Sequence, residues 1–267
     1  MSPALLHEKV TAITGAVTGI GRAIALEYIR QGAKVAVNYY PDAASEAAFE
    51  SLVQEVGGDG DDADERRSRL IGFAGDVSKV ETGTGFIDAV VRKWGRLDVF
   101  VNNAGVCQFA EFLSLPPDLL KSTIDINLTG AFLAIQAAAR QMVSQTPQGG
   151  SIIGISSISA LVGGAGQTHY TPTKAGVSSL IQSCACALGP YGIRCNALLP
   201  GTIRTALNEE DLSDEGKLRY MEGRVPLRRL GVPHDLAGPA VFLASDLSGY
   251  VTGSQILVDG GAFVNFQ

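Results

Sequence analysis

The sequence predicts an α/β fold: one doubly wound domain over residues 1–267, with a seven-stranded, mostly parallel sheet and helices on both faces. Three observations predict it. Seven short apolar runs alternate with longer helical stretches along the whole chain, the pattern of strand–helix–strand units. The runs suit strands covered on both faces, as parallel sheets require. No linker or repeat divides the chain, and 267 residues with 46% hydrophobic content and 32 glycines fit one large core with many tight turns.

The elements follow in order. Lys9–Thr14 reads as the first strand, and Gly19–Arg30 as a helix that ends near Gly32. Lys34–Tyr39 is the second strand, followed by a helix over Ala43–Val56. Leu70–Ala74 is the third strand, Val80–Trp94 a helix and Leu97–Asn102 the fourth strand. Helical stretches at Pro117–Thr123 and Ile126–Ser144 precede the fifth strand, Ser151–Ser156. Tyr170–Leu188 is helical, because Pro172 is tolerated in a first turn, where its missing N–H has no intrahelical partner to lose. Ile193–Leu198 is the sixth strand, Asp235–Leu243 a helix and Gln255–Val258 the last strand. The segment 57–68 breaks the rhythm; its five acidic residues and glycine-rich turns read as a solvated loop.

Composition excludes several classes. A net charge of −6 argues against a nucleic-acid partner. No apolar run approaches the ~18 residues of a membrane span, so no membrane partner is expected. The first residues lack the apolar stretch of a signal peptide and the last ones carry no lipidation signal, so a cytoplasmic enzyme is expected. Cys107, Cys184, Cys186 and Cys195 suggest neither a disulfide framework nor a metal site, and packing roles are expected for all four.

The chemistry sits in two places. Thr14-Gly15 and Gly19-Ile20-Gly21-Arg22 form a glycine-rich turn between a strand and a helix. Glycines there let the backbone approach a pyrophosphate, and the helix N-terminus favours the anion, as in a Rossmann-type dinucleotide site. Ser157, Tyr170 and Lys174 form the second place, 13 and four residues apart. A lysine one helical turn from a tyrosine favours phenolate, and a serine at a strand end can hold a reacting oxygen. Such a set takes a proton from an alcohol or returns it to a carbonyl.

These motifs resemble the short-chain dehydrogenase/reductase family over essentially the whole chain. The loop of Thr14 to Gly21 is similar to its cofactor loop, Asp76-Val77 to its adenine contact, and Asn102-Asn103-Ala104-Gly105 to the motif ending its fourth strand. Asn127 is similar to its helix asparagine, Ser157, Tyr170 and Lys174 to its catalytic set, and Pro200–Thr205 to its nicotinamide segment. The resemblance implies NAD or NADP, held by Gly15, Thr18, Gly19, Ile20, Gly21, Tyr39, Asp76, Val77, Asn103, Ala104, Gly105, Tyr170, Lys174, Pro200, Gly201, Ile203 and Thr205. It implies Tyr170 as acid/base, Lys174 as the group lowering its pKa and binding the nicotinamide ribose, Ser157 as the oxygen positioner, and Asn127 as holder of a water linking Lys174 to solvent.

Cofactor choice is open at this stage. The second strand ends Val37-Asn38-Tyr39-Tyr40-Pro41, with neither the acidic residue common in NAD-preferring relatives nor an arginine. Arg22 is expected on a solvated helix face. Residues 205–224 lie where the family keeps its substrate lid, and their polar, acidic character suits a small polar substrate, a sugar or polyol. Ser157, Gln167, His169 and Asn208 are the candidate substrate contacts, with Thr168 beside them. Gly154–Ala165, Gln167–Gly176, Pro200–Leu212 and Leu257–Asn265 resemble a smaller group, the fungal L-rhamnose 1-dehydrogenases, which implies oxidation of an anomeric hydroxyl to a lactone. The alternatives are reduction of a ketose, a 3-oxoacyl thioester or another ketone, and a non-catalytic cofactor-binding regulator, which the intact catalytic set disfavours. The family resemblance also implies a homodimer or homotetramer through the long helices, where Ala137–Ala139 and Ser183–Ala187 would permit close contact.

Overall fold

The computed structural model describes residues 4–60, 62–206, 208–209 and 212–265. Seven strands form one sheet: β1 (Val10–Ile13), β2 (Lys34–Tyr39), β3 (Leu70–Ala74), β4 (Val99–Asn102), β5 (Gly150–Ile155), β6 (Ile193–Pro200) and β7 (Gln255–Val258). Their order is β3-β2-β1-β4-β5-β6-β7 and every neighbouring pair is parallel. The central strands β1 and β4 are buried at every position, which is why they carry no polar alternation.

Helices cover both faces. Val99 and Val101 face a cluster formed by α1 (Gly19–Arg30), α2 (Ala43–Gly57) and α9 (Ala237–Ala244), with Ile24, Tyr28, Leu52 and Val241 at its centre. Phe100 points the other way, to α4 (Val80–Trp94), α6 (Gly130–Ser144) and α7 (Thr171–Leu188), where Phe86, Ile135 and Ile181 pack. Tyr28, fully buried, donates its hydroxyl to the Ala240 carbonyl at 3.0 Å and so joins α1 to α9. No helix among the described residues is long and apolar enough to cross a membrane.

The chain leaves β1 toward β2 on one side of the sheet, while β4 lies on the other. The C-terminal ends of β1 and β4 therefore open onto a crevice, the position where doubly wound sheets bind ligands. Helix α5 (Pro117–Ile124) passes through one π turn, Asp125–Thr129, into α6.

Several expectations change. The segment 57–68 is not simply a solvated loop, because α3 (Ala63–Ser68) forms inside it. Its acids are paired with arginines at helical spacing, Asp62 with Arg66, Asp64 with Arg67 and Glu65 with Arg69, and Arg66 also donates to the Gly57 carbonyl. Asp61 lies outside the described residues. Arg22 is not on a solvated face: its guanidinium donates to Glu55 at 2.7 Å and to the carbonyls of Val17 and Ala48, fastening α1 to α2. A further helix, α8 (Glu215–Arg224), begins where Asp214 accepts from the Gly216 and Lys217 amides. Ala137, Ala138 and Ala139 are buried within the chain's own core, so their small size serves packing under α6. Cysteine packing holds for Cys195, which is buried, but Cys186 is exposed and Cys107 borders the crevice.

Candidate active site

The crevice is a cleft of about 720 Å³, within the size range of ligand pockets. Its floor is the turn after β1. Gly15 has φ +60°, and a Cβ there would stand 2.8 Å from the Ala104 Cα, so only glycine fits. Gly21 lies behind the turn, where a Cβ would come within 2.5 Å of Asn103 Nδ2. Asn103 is the brace: its amide nitrogen donates to the Thr14 and Gly15 carbonyls at 3.0 and 2.8 Å. The Thr14 hydroxyl accepts from the amides of Asn103 and Ala104, both at 3.0 Å. β1 and β4 are thus locked together at the point where the cleft begins. A closely approached backbone at the N-terminus of α1 suits a pyrophosphate, and this cradle fits a dinucleotide.

Thr18, Gly19 and Ile20 line the same end. Beyond them stand Tyr39, Tyr40, Ser45, Asp76 and Val77. The Tyr39 hydroxyl donates to Glu46 at 2.9 Å, and burial together with that carboxylate pushes its pKa up to about 12. Asn38 beneath it is buried and donates to the Gly75 carbonyl at 2.9 Å, tying the tips of β2 and β3.

The other end of the cleft carries the acid–base set. Ser157 follows β5, and its hydroxyl accepts from the Ser159 amide at 3.0 Å. Tyr170 caps α7 and Lys174 lies one turn inside, its ammonium 5.7 Å from the Tyr170 ring centroid. Lys174 is buried and donates to the Ile155 carbonyl at 3.1 Å. Burial lowers its pKa to about 8. Tyr170 departs from the sequence expectation. Its pKa is raised, chiefly by burial and next by the Cys107 thiol, against the lowering effect of the Ser157 hydroxyl. Burial is the largest of these effects, because it disfavours the charged phenolate.

Asn127 sits on the π turn and is buried. Its Oδ1 accepts from the Val106 amide at 2.8 Å, and its Nδ2 donates to the Val106 carbonyl at 2.8 Å and to the Thr173 hydroxyl at 3.2 Å. The side chain therefore fastens the segment after β4 to α7.

A family model described as enoyl-(acyl carrier protein) reductase matches residues 15–262. The chain belongs to the short-chain dehydrogenase/reductase family. Among its relatives, the L-rhamnose-1-dehydrogenase of Scheffersomyces stipitis is 62% identical over 263 residues, covering 98% of this chain and 99% of that protein. The L-rhamnose 1-dehydrogenase (NAD(P)(+)) of Azotobacter vinelandii is 54% identical, covering 98% and 100%. A crystal structure of a short-chain alcohol dehydrogenase from Sinorhizobium meliloti superposes with a TM-score of 0.89 at 31% identity, covering 99% and 100%. This short-chain dehydrogenase/reductase is an NAD(P)-dependent oxidoreductase.

The cleft of this family member brings together most of the residues singled out in the sequence. Ala104 and Gly105 line it from β4, and Pro200, Gly201, Ile203 and Thr205 from β6 and the segment beyond. Ser157, Tyr170, Lys174 and Gln167 line its far wall. Asn208 also borders it, but its amide is engaged: Oδ1 accepts from the Thr205 amide and Nδ2 donates to the Ile203 carbonyl. It shapes the turn that carries Thr205. His169 does not line the cleft; it is buried, and neither ring nitrogen has a hydrogen-bond partner among the described residues.

Sequence reasoning missed Cys107 and Phe109 as site residues and did not single out Lys217 and Met221 within the expected lid; all four border the cleft. Cys107 accepts a hydrogen bond from Gln167 Nε2 at 3.3 Å. The missed signal was position: Cys107 follows Asn102–Gly105 by two residues, so the chain had to leave β4 over the active site. The lid residues Leu207, Glu210 and Asp211 lie outside the described residues.

Proposed function

We propose that this enzyme oxidises the anomeric hydroxyl of L-rhamnose to L-rhamnonolactone with NAD⁺ or NADP⁺. The observation that carries the reading is full-length identity of 62% to a protein named for that reaction, with Ser157, Tyr170 and Lys174 at one cleft wall. The residues lining the cleft from Gly15 to Ile20 and from Pro200 to Thr205 would hold the oxidised dinucleotide, which would supply the acceptor for the hydride that leaves C1 as C1–O becomes a carbonyl. The residues do the rest. Ser157 holds the hydroxyl oxygen. Tyr170 takes its proton, and Lys174, one turn away on α7, stabilises the phenolate and binds the ribose. Asn127 fixes the backbone at Val106 and the first turn of α7, so that Lys174 keeps its place. Gln167 stands where sugar hydroxyls would be held.

Purified protein incubated with L-rhamnose and each oxidised cofactor tests this. Reduced cofactor and lactone should form in equal amounts. No reduced cofactor from neutral to alkaline pH would overturn the reading.

We also infer one catalytic unit over 1–267, assembled as a homodimer or homotetramer in the cytoplasm. Exposed Phe132 on α6 and the unpaired outer edge of β7 support self-association. Light scattering that gives a monomer mass at micromolar concentration would remove the oligomer. Cell fractionation checks the compartment.

A further inference from the structure

Three segments meet above the substrate half of the cleft. The first is the stretch after β4, which carries Cys107 and Phe109. The second is the loop before Tyr170, which carries Gly166 and Gln167. These two are zipped together: the Ala110 amide donates to the Gly166 carbonyl at 3.0 Å, and Gln167 donates to Cys107. The Phe109 ring lies against Gly166, where a Cβ would stand 3.2 Å from its Cδ1.

The third segment is the lid helix α8. Its base rests on a small apolar cluster of its own, Leu212, Val225 and Leu230 with Leu218 and Met221, separate from the two clusters that flank the sheet. Lys217 and Met221 are one turn apart and both border the cleft, so one face of α8 looks down on it. At the open end of that face, the Lys217 ammonium lies over the Phe109 ring, 5.7 Å from its centroid. The position is informative. Lys217 is in the first turn of α8, where the helix dipole disfavours a cation. The face of the Phe109 ring contributes a favourable environment for that cation.

We propose that Lys217 is a positioning residue: its contact with Phe109 latches α8 across the substrate half of the cleft and lowers the KM of the sugar. It stands on α8, outside the set of Ser157, Tyr170 and Lys174, so the chemical step is unchanged by its loss. Phe109 in turn packs on Gly166, in the separate loop that precedes Tyr170.

The experiment has two arms. In steady-state kinetics, Lys217→Gln raises the KM for L-rhamnose about two- to fivefold with kcat unchanged, the size of an exposed cation–π contact. Lys217→Arg restores KM, and Phe109→Leu raises KM less in the Lys217→Gln background than in the wild type. In limited trypsinolysis followed by mass spectrometry, Lys217→Gln speeds cleavage after Arg219 by a similar factor, and Lys217→Arg does not. The kinetic arm rests on the sugar-oxidising reading and the proteolytic arm does not. If the wild type leaves L-rhamnose untouched, that reading fails and the cleavage rates still decide the latch. Equal cleavage rates in wild type and Lys217→Gln, or Lys217→Arg behaving as Lys217→Gln, overturn the latch.

Discussion

The two halves of the cleft are built by opposite strategies. The dinucleotide half is backbone held in place by hydrogen-bonded polar side chains. Thr14 and Asn103 fasten β1 to β4, and Asn38 ties β2 to β3, through hydrogen bonds of 2.8–3.0 Å. The substrate half is side chains on a helix that buries none of its residues. One half is shaped before any ligand arrives, and the other is fastened by a small cluster and a surface contact. A cofactor common to many reactions can be met by a fixed surface. A particular sugar is met by parts that are easy to change.

The largest expected effect lies where the halves meet. Tyr170→Phe removes the proton acceptor and leaves the ring. Turnover should fall about 10²- to 10⁴-fold, the usual contribution of a general base. Dinucleotide affinity, measured by titration calorimetry, should be nearly unchanged, because the turn at Gly15 lies at the other end of the cleft. A loss of binding as large as the loss of turnover would show that the halves are not separable.

That contrast also explains what was legible in the sequence. Backbone cradles need glycine, proline and short polar braces at fixed spacing, and Thr14, Gly15, Gly21 and Asn103 stand out for that reason. The alternation of strands and helices was equally plain, because each strand is apolar and each connection is bounded by turn residues. The resemblance gave the place of the lid, residues 205–224, but its contacts were not legible. Nothing in the local pattern of Lys217 or Phe109 says that they meet, since the contact spans 108 residues and depends on how two loops leave the sheet. Arg22 was misread for a related reason. Its place on α1 looks solvated until α2 is laid beside it and Glu55 closes over the guanidinium. His169 shows the reverse error: adjacency to Tyr170 in sequence is not adjacency in the cleft.

The pH dependence sharpens the junction further. Oxidation needs phenolate, and burial raises the Tyr170 pKa. The active fraction therefore grows as pH rises, about tenfold per unit while the phenol predominates. Lys174 works in the other direction. Its pKa is lowered to about 8, so the ammonium that favours phenolate is lost as pH passes that value. The rate of sugar oxidation should climb steeply from neutral pH and less steeply above about 8. Lys174→Met should remove the change of slope. A flat profile through this range would mean that proton removal by Tyr170 does not limit the reaction.

A pair of glycine substitutions tests the two strategies directly. In the dinucleotide half, Gly21→Ala would place a Cβ 2.5 Å from Asn103 Nδ2 and 2.7 Å from the Gly15 carbonyl oxygen. The brace must shift, and overpacking of this kind costs about 1–3 kcal/mol. Thermal unfolding should occur at lower temperature, and dinucleotide binding should weaken with it. A variant as stable as the wild type would show that the turn yields, contrary to its dense hydrogen bonding.

The smallest effect has the opposite sign. Gly223 lies in the last turn of α8, is exposed, and has no atom within 4 Å of the position a Cβ would take. Its φ lies outside the left-handed region, so alanine is accepted without strain. Gly223→Ala should then stabilise the lid helix by about 0.4–1 kcal/mol, through the reduced freedom of the unfolded segment. The gain is local to α8 and its small cluster, so global unfolding is a poor reporter. Tryptic cleavage after Arg219 is a better one, and should slow about two- to fivefold. If the lid must open for the lactone to leave, kcat should fall slightly while the KM for the sugar stays the same or drops. The same change of one methyl group thus weakens the preformed half and strengthens the adjustable one. Equal signs at Gly21 and Gly223 would mean that the lid is as tightly constrained as the turn beneath it.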